Sequence, residues 1–216
     1  MSEQPQHTSV PKRVAVLVSG GGTNLQAIID YQVSHTPCPY RVVLVISSTK
    51  HAYALERSRA AGIECATLSP VAVMGDAAHT ATREQKNAAV SDAVLSECLS
   101  HSIDLIVLAG YLSVRQGDIL VRYEGRIINL HPALLPSFGG VGMWGHHVHE
   151  AVIAAGVSES GCTVHLVDAG CDTGRILVQK RVSVLPGDDA TSLAERIAPL
   201  EHEAIVEGLL MLCESF

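Results

Sequence analysis

The sequence predicts an α/β fold: a mostly parallel, twisted sheet with helices on both faces and an antiparallel C-terminal strand. Three observations carry the prediction. Val- and Ile-rich runs such as RVAVLVS (13–19) and RVVLVISS (41–48) are apolar almost throughout rather than at alternate positions, which suits strands buried on both faces. These runs alternate with segments of helical spacing, the pattern of a parallel sheet built from β-α-β units. After residue 140 the alternation stops, and two strand-like runs follow each other across a short turn. A parallel crossover needs more chain than that, so this pair is antiparallel.

Residues 1–12 read as a flexible tail, and residues 13–216 as a single domain. After the first strand and a glycine turn, TNLQAIIDYQ spaces Leu25, Ile28 and Ile29 as one face of a helix. The second strand is followed by AYALERSRAAG, a short helix stopped by Gly62. IECATL (63–68) is a third strand, and 69–80 a polar loop. A helix of about twenty residues ends near His101. DLIVLAGY (104–111) and RIINLH (126–131) are the fourth and fifth strands. A glycine-rich loop (139–145) leads into the helix HEAVIAAG. CTVHLVDAG and RILVQKRVSV form the antiparallel pair. The C-terminal ATSLAERIAPLEHEAIVEGLLML is an amphipathic helix that Pro199 should interrupt. The whole is Rossmann-like.

A chain of 216 residues fills one well-buried core. Its formal net charge of −7 argues against a nucleic-acid partner, which needs a basic surface to neutralise phosphates. A single small anion remains compatible, because backbone amides can hold it. The start MSEQPQHTSVPK has no apolar centre and is not a signal peptide. No run approaches the roughly 20 apolar residues of a membrane helix. Cys38, Cys65, Cys98, Cys162, Cys171 and Cys213 are scattered without a CxxC pair, as for buried reduced thiols. A cytoplasmic location is expected.

The turn Gly20-Gly21-Gly22-Thr23-Asn24 joins a buried strand to a helix. Glycines let the backbone turn sharply there, and the helix start offers N–H groups to an anion. It is neither Walker A nor GxGxxG. A monophosphate is therefore favoured over a triphosphate or dinucleotide, against the alternative of a tight turn with no ligand. Alternation places Asn129 and His131 on one side of the fifth strand, which Pro132 ends. Strand ends of this kind hold ligands in open α/β sheets. Asp168 and Asp172 lie in a flexible turn after the next strand. A carboxylate beside His131 should raise its pKa and keep it protonated; for Asp168 the alternative is ordinary turn chemistry. Histidines 146, 147 and 149, with His131 and His165, suggest zinc. However, His146 and His147 point about 100° apart on a helix, so no metal is expected.

Five motifs in order, SGGGTNLQAII, AGYLSV, INLHPALLPSF, VDAGCDTG and the glutamate of PLEHEAI, resemble the phosphoribosylglycinamide formyltransferases, within the folate-dependent formyltransferases. The resemblance spans residues 13 to about 210. It implies transfer of a formyl group from 10-formyltetrahydrofolate to glycinamide ribonucleotide in purine synthesis, without metal. A homodimer is compatible with it. It matches Gly20, Gly21, Gly22, Thr23 and Asn24 to the substrate phosphate, and Glu201 to its ribose. Asn129, His131 and Asp172 match the catalytic trio. Arg83, Leu112, Ser113, Val114, Arg115, Asn129 and the loop Asp168-Ala169-Gly170-Cys171-Asp172 match the folate-binding set. Ser113 stands where some members carry Arg, and the loop 139–147 is longer than in the family's shorter form.

The implied chemistry has the neutral amine attack the formyl carbon while Asn129 and a protonated His131 donate to the oxyanion. Methionyl-tRNA formyltransferases and formyltetrahydrofolate hydrolases share this core but add a further domain, for which the chain has no expected room. The rival readings are a related transferase or hydrolase with another acceptor, and a nucleotide-binding regulatory module. The latter has no need of Asn129, His131 and Asp172 together.

Overall fold

A computed structural model of the chain describes residues 10–111 and 116–216. Among them seven strands form one sheet: β1 (Lys12–Val18), β2 (Tyr40–Ser47), β3 (Glu64–Thr67), β4 (Leu105–Ala109), β5 (Ile127–His131), β6 (Glu159–Leu166) and β7 (Ile176–Ser183). Their order is β3-β2-β1-β4-β5-β6-β7. The first five are parallel, β6 runs against β5, and β7 runs against β6. One strand, β6, therefore reverses; β7 returns to the direction of the first five. The strand order turns back between β1 and β4, and ligands of open α/β sheets bind outside the carboxyl ends at such a point.

The unbroken apolar runs follow from burial on both faces. Val14, Val16 and Val18 of β1 join one core with Leu105, Val107, Ile128 and Leu130. Ala15 and Leu17 join the other with Ile106, Leu108 and Ile127. The first core is closed by helices α1 (Thr23–Ser34), α2 (Ala54–Ala60), α6 (His146–Ala155) and α7 (Ala190–Glu214). The second is closed by α3 (Pro70–Met74), α4 (Arg83–Ser100) and α5 (Asp118–Arg122). Asn129 and His131 alternate with Ile128 and Leu130, so they lie on the second face, near the sheet's rim.

Several boundaries differ from the expectation. Lys12 belongs to β1 rather than to the tail: it pairs with Tyr40, and its Nζ donates to the carbonyl of Phe216 at 2.8 Å. Residues 1–9 lie outside the described residues. The stretch 69–80 is not plain loop. Ser69 caps α3 through the amide of Ala72, with Pro70 in the first helical turn, and a 3-10 turn (Gly75–His79) follows. Helix α6 starts at His146, three residues before the expected start. Pro199 does not break α7. It sits on the exposed side of the helix, where a carbonyl left without its helical partner is open to solvation. Buried Leu193, Ile197, Ala204 and Ile205 hold the turns on both sides against the core. No helix among the described residues is long and apolar enough to cross a membrane.

Candidate active site

A cleft of about 320 Å³ opens at the rim of the sheet. Its walls bring together Asn24, Asn129, His131, Asp168, Gly170, Cys171, Asp172 and Glu201. These residues lie as much as 177 positions apart in the chain. The cleft wraps around the rim. Asn24 and Glu201 come from α1 and α7 on one face, while Asn129 and His131 project from β5 on the other.

The end of β5 is held rigidly. Thr163 of β6 donates to the carbonyl of Ala133 at 2.6 Å and accepts from the amide of Leu135 at 3.0 Å. This pins the turn after Pro132 to the neighbouring strand. His131 is buried, and its Nε2 lies 2.8 Å from the carbonyl of Phe138. A carbonyl can only accept, so Nε2 carries the hydrogen and Nδ1 is left with a lone pair. Asp172 Oδ2 stands 3.6 Å from that Nδ1, beyond hydrogen-bond range, and accepts instead from the amide of Gly140 at 2.9 Å. Three non-glycine residues among those described have positive φ: Ser102, Phe138 and Asp172. Two of the three, Phe138 and Asp172, stand against the two ring nitrogens of His131. Left-handed backbone is costly for such residues, and strain of this kind gathers at functional sites.

The charge state of His131 is opposite to the expectation. Burial pushes its pKa below the ordinary imidazole value. The Phe138 carbonyl and Asp172 act upward but do not overcome it, and His165 adds to the depression. A buried imidazolium loses more hydration than a carboxylate at 3.6 Å returns. His131 is therefore neutral at neutral pH, with a lone pair on Nδ1 facing a carboxylate. That arrangement accepts a proton and then holds it by charge.

His165 belongs to the cluster, and sequence reading assigned it no role beyond the rejected metal set. It lies directly across the antiparallel ladder from Asn129, and its Nε2 is 3.1 Å from Asn129 Nδ2. Its Nδ1 donates to the Leu166 carbonyl at 2.9 Å, so Nε2 accepts one hydrogen of the Asn129 amide. The second amide hydrogen is left for a ligand. Period-two alternation in CTVHLVD would have put His165 on the right face, but only the register of β5 with β6 sets it opposite Asn129.

At the other end, Asn24 Nδ2 donates to Glu201 Oε2 at 3.3 Å. Burial raises the pKa of Glu201, and the bond from Asn24 offsets part of the rise. The turn before α1 is shaped by Gly22, whose φ of 72° is left-handed and whose missing side chain admits α2: a Cβ there would meet Ala54 Cβ at 2.6 Å. Gly20 and Gly21 have open space around them. No side chain caps the first turn of α1, so its N–H groups can serve an anion. Arg57, which sequence reading missed, braces this turn. Its Nε donates to the Gly21 carbonyl at 2.9 Å and its Nη1 to Gln26 Oε1 at 3.0 Å.

The remaining predicted residues fall as follows. Gly20, Gly21, Gly22, Thr23 and Ala169 are not among the residues lining the cleft, and neither is Arg83, which is exposed at the start of α4. Asp168 performs turn chemistry, accepting from the Gly170 amide at 2.9 Å and the Thr173 hydroxyl at 2.7 Å. Leu112, Ser113, Val114 and Arg115 lie outside the described residues. His146 and His147 both lean on Glu150, at 3.8 and 3.2 Å, while His149 turns inward. Among the described residues no group of three His, Cys, Asp or Glu side chains could hold a metal ion.

Burial also lowers the pKa of His149 and His202. A histidine whose folded pKa lies below its unfolded value contributes stability that is complete above the unfolded pKa. It is lost as pH falls toward the folded value. Three such histidines act in this sense, against His101 and Glu201, whose raised pKa values act the other way; the melting temperature should fall from about pH 7 to pH 5.5. Thermal melts across that range check it; a melting temperature that rises on acidification would contradict the burial argument.

The fold and cleft define an α/β protein whose sheet rim gathers an imidazole, a carboxylate and an amide in one cleft of small-molecule size. The family profile described as "Formyl transferase" matches residues 12–209, and the chain belongs to that family. It is 43% identical over 203 residues to the trifunctional purine biosynthetic protein adenosine-3 of Drosophila melanogaster, covering 93% of this chain and 14% of that protein. It is 36% identical over 208 residues to the chloroplastic phosphoribosylglycinamide formyltransferase of Arabidopsis thaliana, covering 96% of this chain and 68% of the plant protein. Among solved structures, glycinamide ribonucleotide transformylase 1 from Symbiobacterium toebii superposes with a TM-score of 0.83 at 36% identity, over 99% of this chain and 92% of that one. Phosphoribosylglycinamide formyltransferase from Brucella melitensis gives 0.80 at 36%, over 94% and 96%.

Proposed function

We propose that this chain transfers the formyl group of 10-formyltetrahydrofolate to the amine of glycinamide ribonucleotide, yielding formylglycinamide ribonucleotide and tetrahydrofolate in purine synthesis. The observation that carries the reading is the convergence of Asn129, His131 and Asp172 on one cleft with Asn24 and Glu201. Relatives bearing the transferase name agree with it. Residues 12–216 are read as one functional domain.

On this reading the glycine turn (20–24), braced by Arg57, binds the nucleotide phosphate, and Glu201 accepts from the ribose hydroxyls. The folate lies along the loop 168–172, and the family resemblance assigns Arg83 and residues 112–115 to it as well. The cleft suits polar, partly planar ligands: Met143 and Trp144 give apolar wall, and Asn24 Oδ1 and the Tyr111 hydroxyl are buried there without partners. The folate supplies a formyl carbon already activated for acyl transfer. Asn129 uses its spare amide hydrogen on the formyl oxygen, where negative charge develops. Neutral His131 takes the amine proton at Nδ1. Asp172 then holds the imidazolium, and the proton is available to the departing nitrogen. Placing both reactants in one cleft supplies much of the remaining rate.

Steady-state assay with 10-formyltetrahydrofolate and glycinamide ribonucleotide, an amino sugar or water as acceptor tests the reading. Turnover is expected with the nucleotide alone. Faster release of tetrahydrofolate with water or the amino sugar would move the chain to a related hydrolase or transferase.

A further inference from the structure

Six buried side-chain atoms among the described residues have no hydrogen-bond partner: Asn24 Oδ1, Ser91 Oγ, Tyr111 Oη, His149 Nδ1, Ser160 Oγ and His202 Nε2. Three of the six belong to residues that line the cleft, namely Asn24, Tyr111 and His149. An unpaired buried polar atom destabilises a protein, so natural structures tolerate it mainly where something else supplies the partner. Asn24 already has a role in the proposed reaction. His149 has none.

His149 is 6% exposed, yet it is one of the residues lining the cleft, with Trp144 and Gly145. Its position in the fold is informative. Helix α6 packs on α7, the helix that carries Glu201, and α6 joins the same core as α1, which carries Asn24. His149 thus stands on the nucleotide side of the rim. It is also close enough to His131 for that ring to disfavour its charged form. A ligand whose ribose meets Glu201 and whose amine meets His131 runs its connecting arm through the cleft that His149 also lines. In glycinamide ribonucleotide that arm contains a carboxamide.

We propose that His149 is a substrate-binding residue whose Nδ1 hydrogen-bonds the carboxamide of the acceptor's glycinamide arm. The inference rests on the proposed acceptor and deepens it. A neutral imidazole suits an amide because it offers one donor and one acceptor, matching the amide N–H or the carbonyl. A site built to pair with such a group rejects ligands that lack it, because its own atom is then stranded.

Two variants test this. His149→Asn keeps a hydrogen-bonding atom near Nδ1, and His149→Leu removes it at similar bulk. The Leu variant should raise the KM for glycinamide ribonucleotide roughly tenfold or more, and leave the KM for the formyl-folate within about twofold. The Asn variant should recover most of the affinity. The free Leu variant should melt at or above the temperature of the unchanged protein, because a stranded polar atom has been replaced by an apolar one. A residue with only a structural role gives the opposite melting result. An equal rise of both KM values, no rise at all, or a lower melting temperature with no rescue by Asn overturns the proposal. Failure of the unchanged protein to use this acceptor would overturn the reaction assignment instead, and is read in the same assay before any variant is made.

Discussion

Asp172→Asn is expected to lower kcat by on the order of 100-fold or more, while the Kd for the nucleotide changes by less than about threefold. The substitution keeps an oxygen for the Gly140 amide, which Asp172 Oδ2 accepts at 2.9 Å, so the loop should retain its shape. What disappears is the charge 3.6 Å from His131 Nδ1. Burial already depresses the His131 pKa, and Asp172 is one of the influences that act against burial. Without it the imidazolium formed during the reaction has no counter-charge. The pKa of His131 falls further, so the acidic limb of the pH–rate profile should move to lower pH even as the plateau drops. Measuring kcat against pH for both proteins, with the nucleotide Kd by calorimetry, separates the two effects. A limb that stays in place would break the coupling between carboxylate and imidazole on which the mechanism depends.

Gly22→Ala should have the largest effect on folding and on the nucleotide end together. Its φ of 72° costs an alanine roughly 1–2 kcal/mol. The new Cβ also meets Ala54 Cβ at 2.6 Å and Ala54 Cα at 2.8 Å; overpacking of this kind typically costs about 1–3 kcal/mol. For a chain of this size the melting temperature should fall on the order of 5–15 °C. Relief of the clash pushes the turn away from α2 and strains the Arg57–Gly21 bond, so the KM for the nucleotide should rise more than that for the folate. Gly20→Ala is the control: a Cβ there meets nothing within 4 Å. Equal melting temperatures for the two variants would show that the turn yields more easily than its packing implies.

Which features were legible in the sequence follows from how local their causes are. The strands RVAVLVS, RVVLVISS and DLIVLAGY announce themselves because both faces of the sheet are covered, and burial on both faces leaves an unmistakable apolar run. The side-by-side placement of Asn129 and His131 follows from strand alternation alone. Pro199 was misleading because a local rule about hydrogen bonds met a helix held by its buried face. The helix at Pro70 carried a proper start signal in Ser69 and Pro70, but five residues leave no apolar period to recognise. His165 and Arg57 depend on strand register and on the seating of α2 beside the glycine turn, which no spacing encodes. The charge of His131 was misjudged for a different reason. Its sign depends on a balance between burial and a neighbouring carboxylate, and only the depth of the site decides that balance.

The wrapping of the cleft around the sheet edge has a kinetic meaning. Asn24, His149 and Glu201 stand on helices covering one face, while Asn129, His131 and His165 rise from the other. Two reactants seated this way reach a shared meeting line by separate approaches. On the proposed reaction, neither has to depart before the other arrives. A direct handover in a ternary complex, with no formylated enzyme in between, is the natural traffic pattern of such a layout.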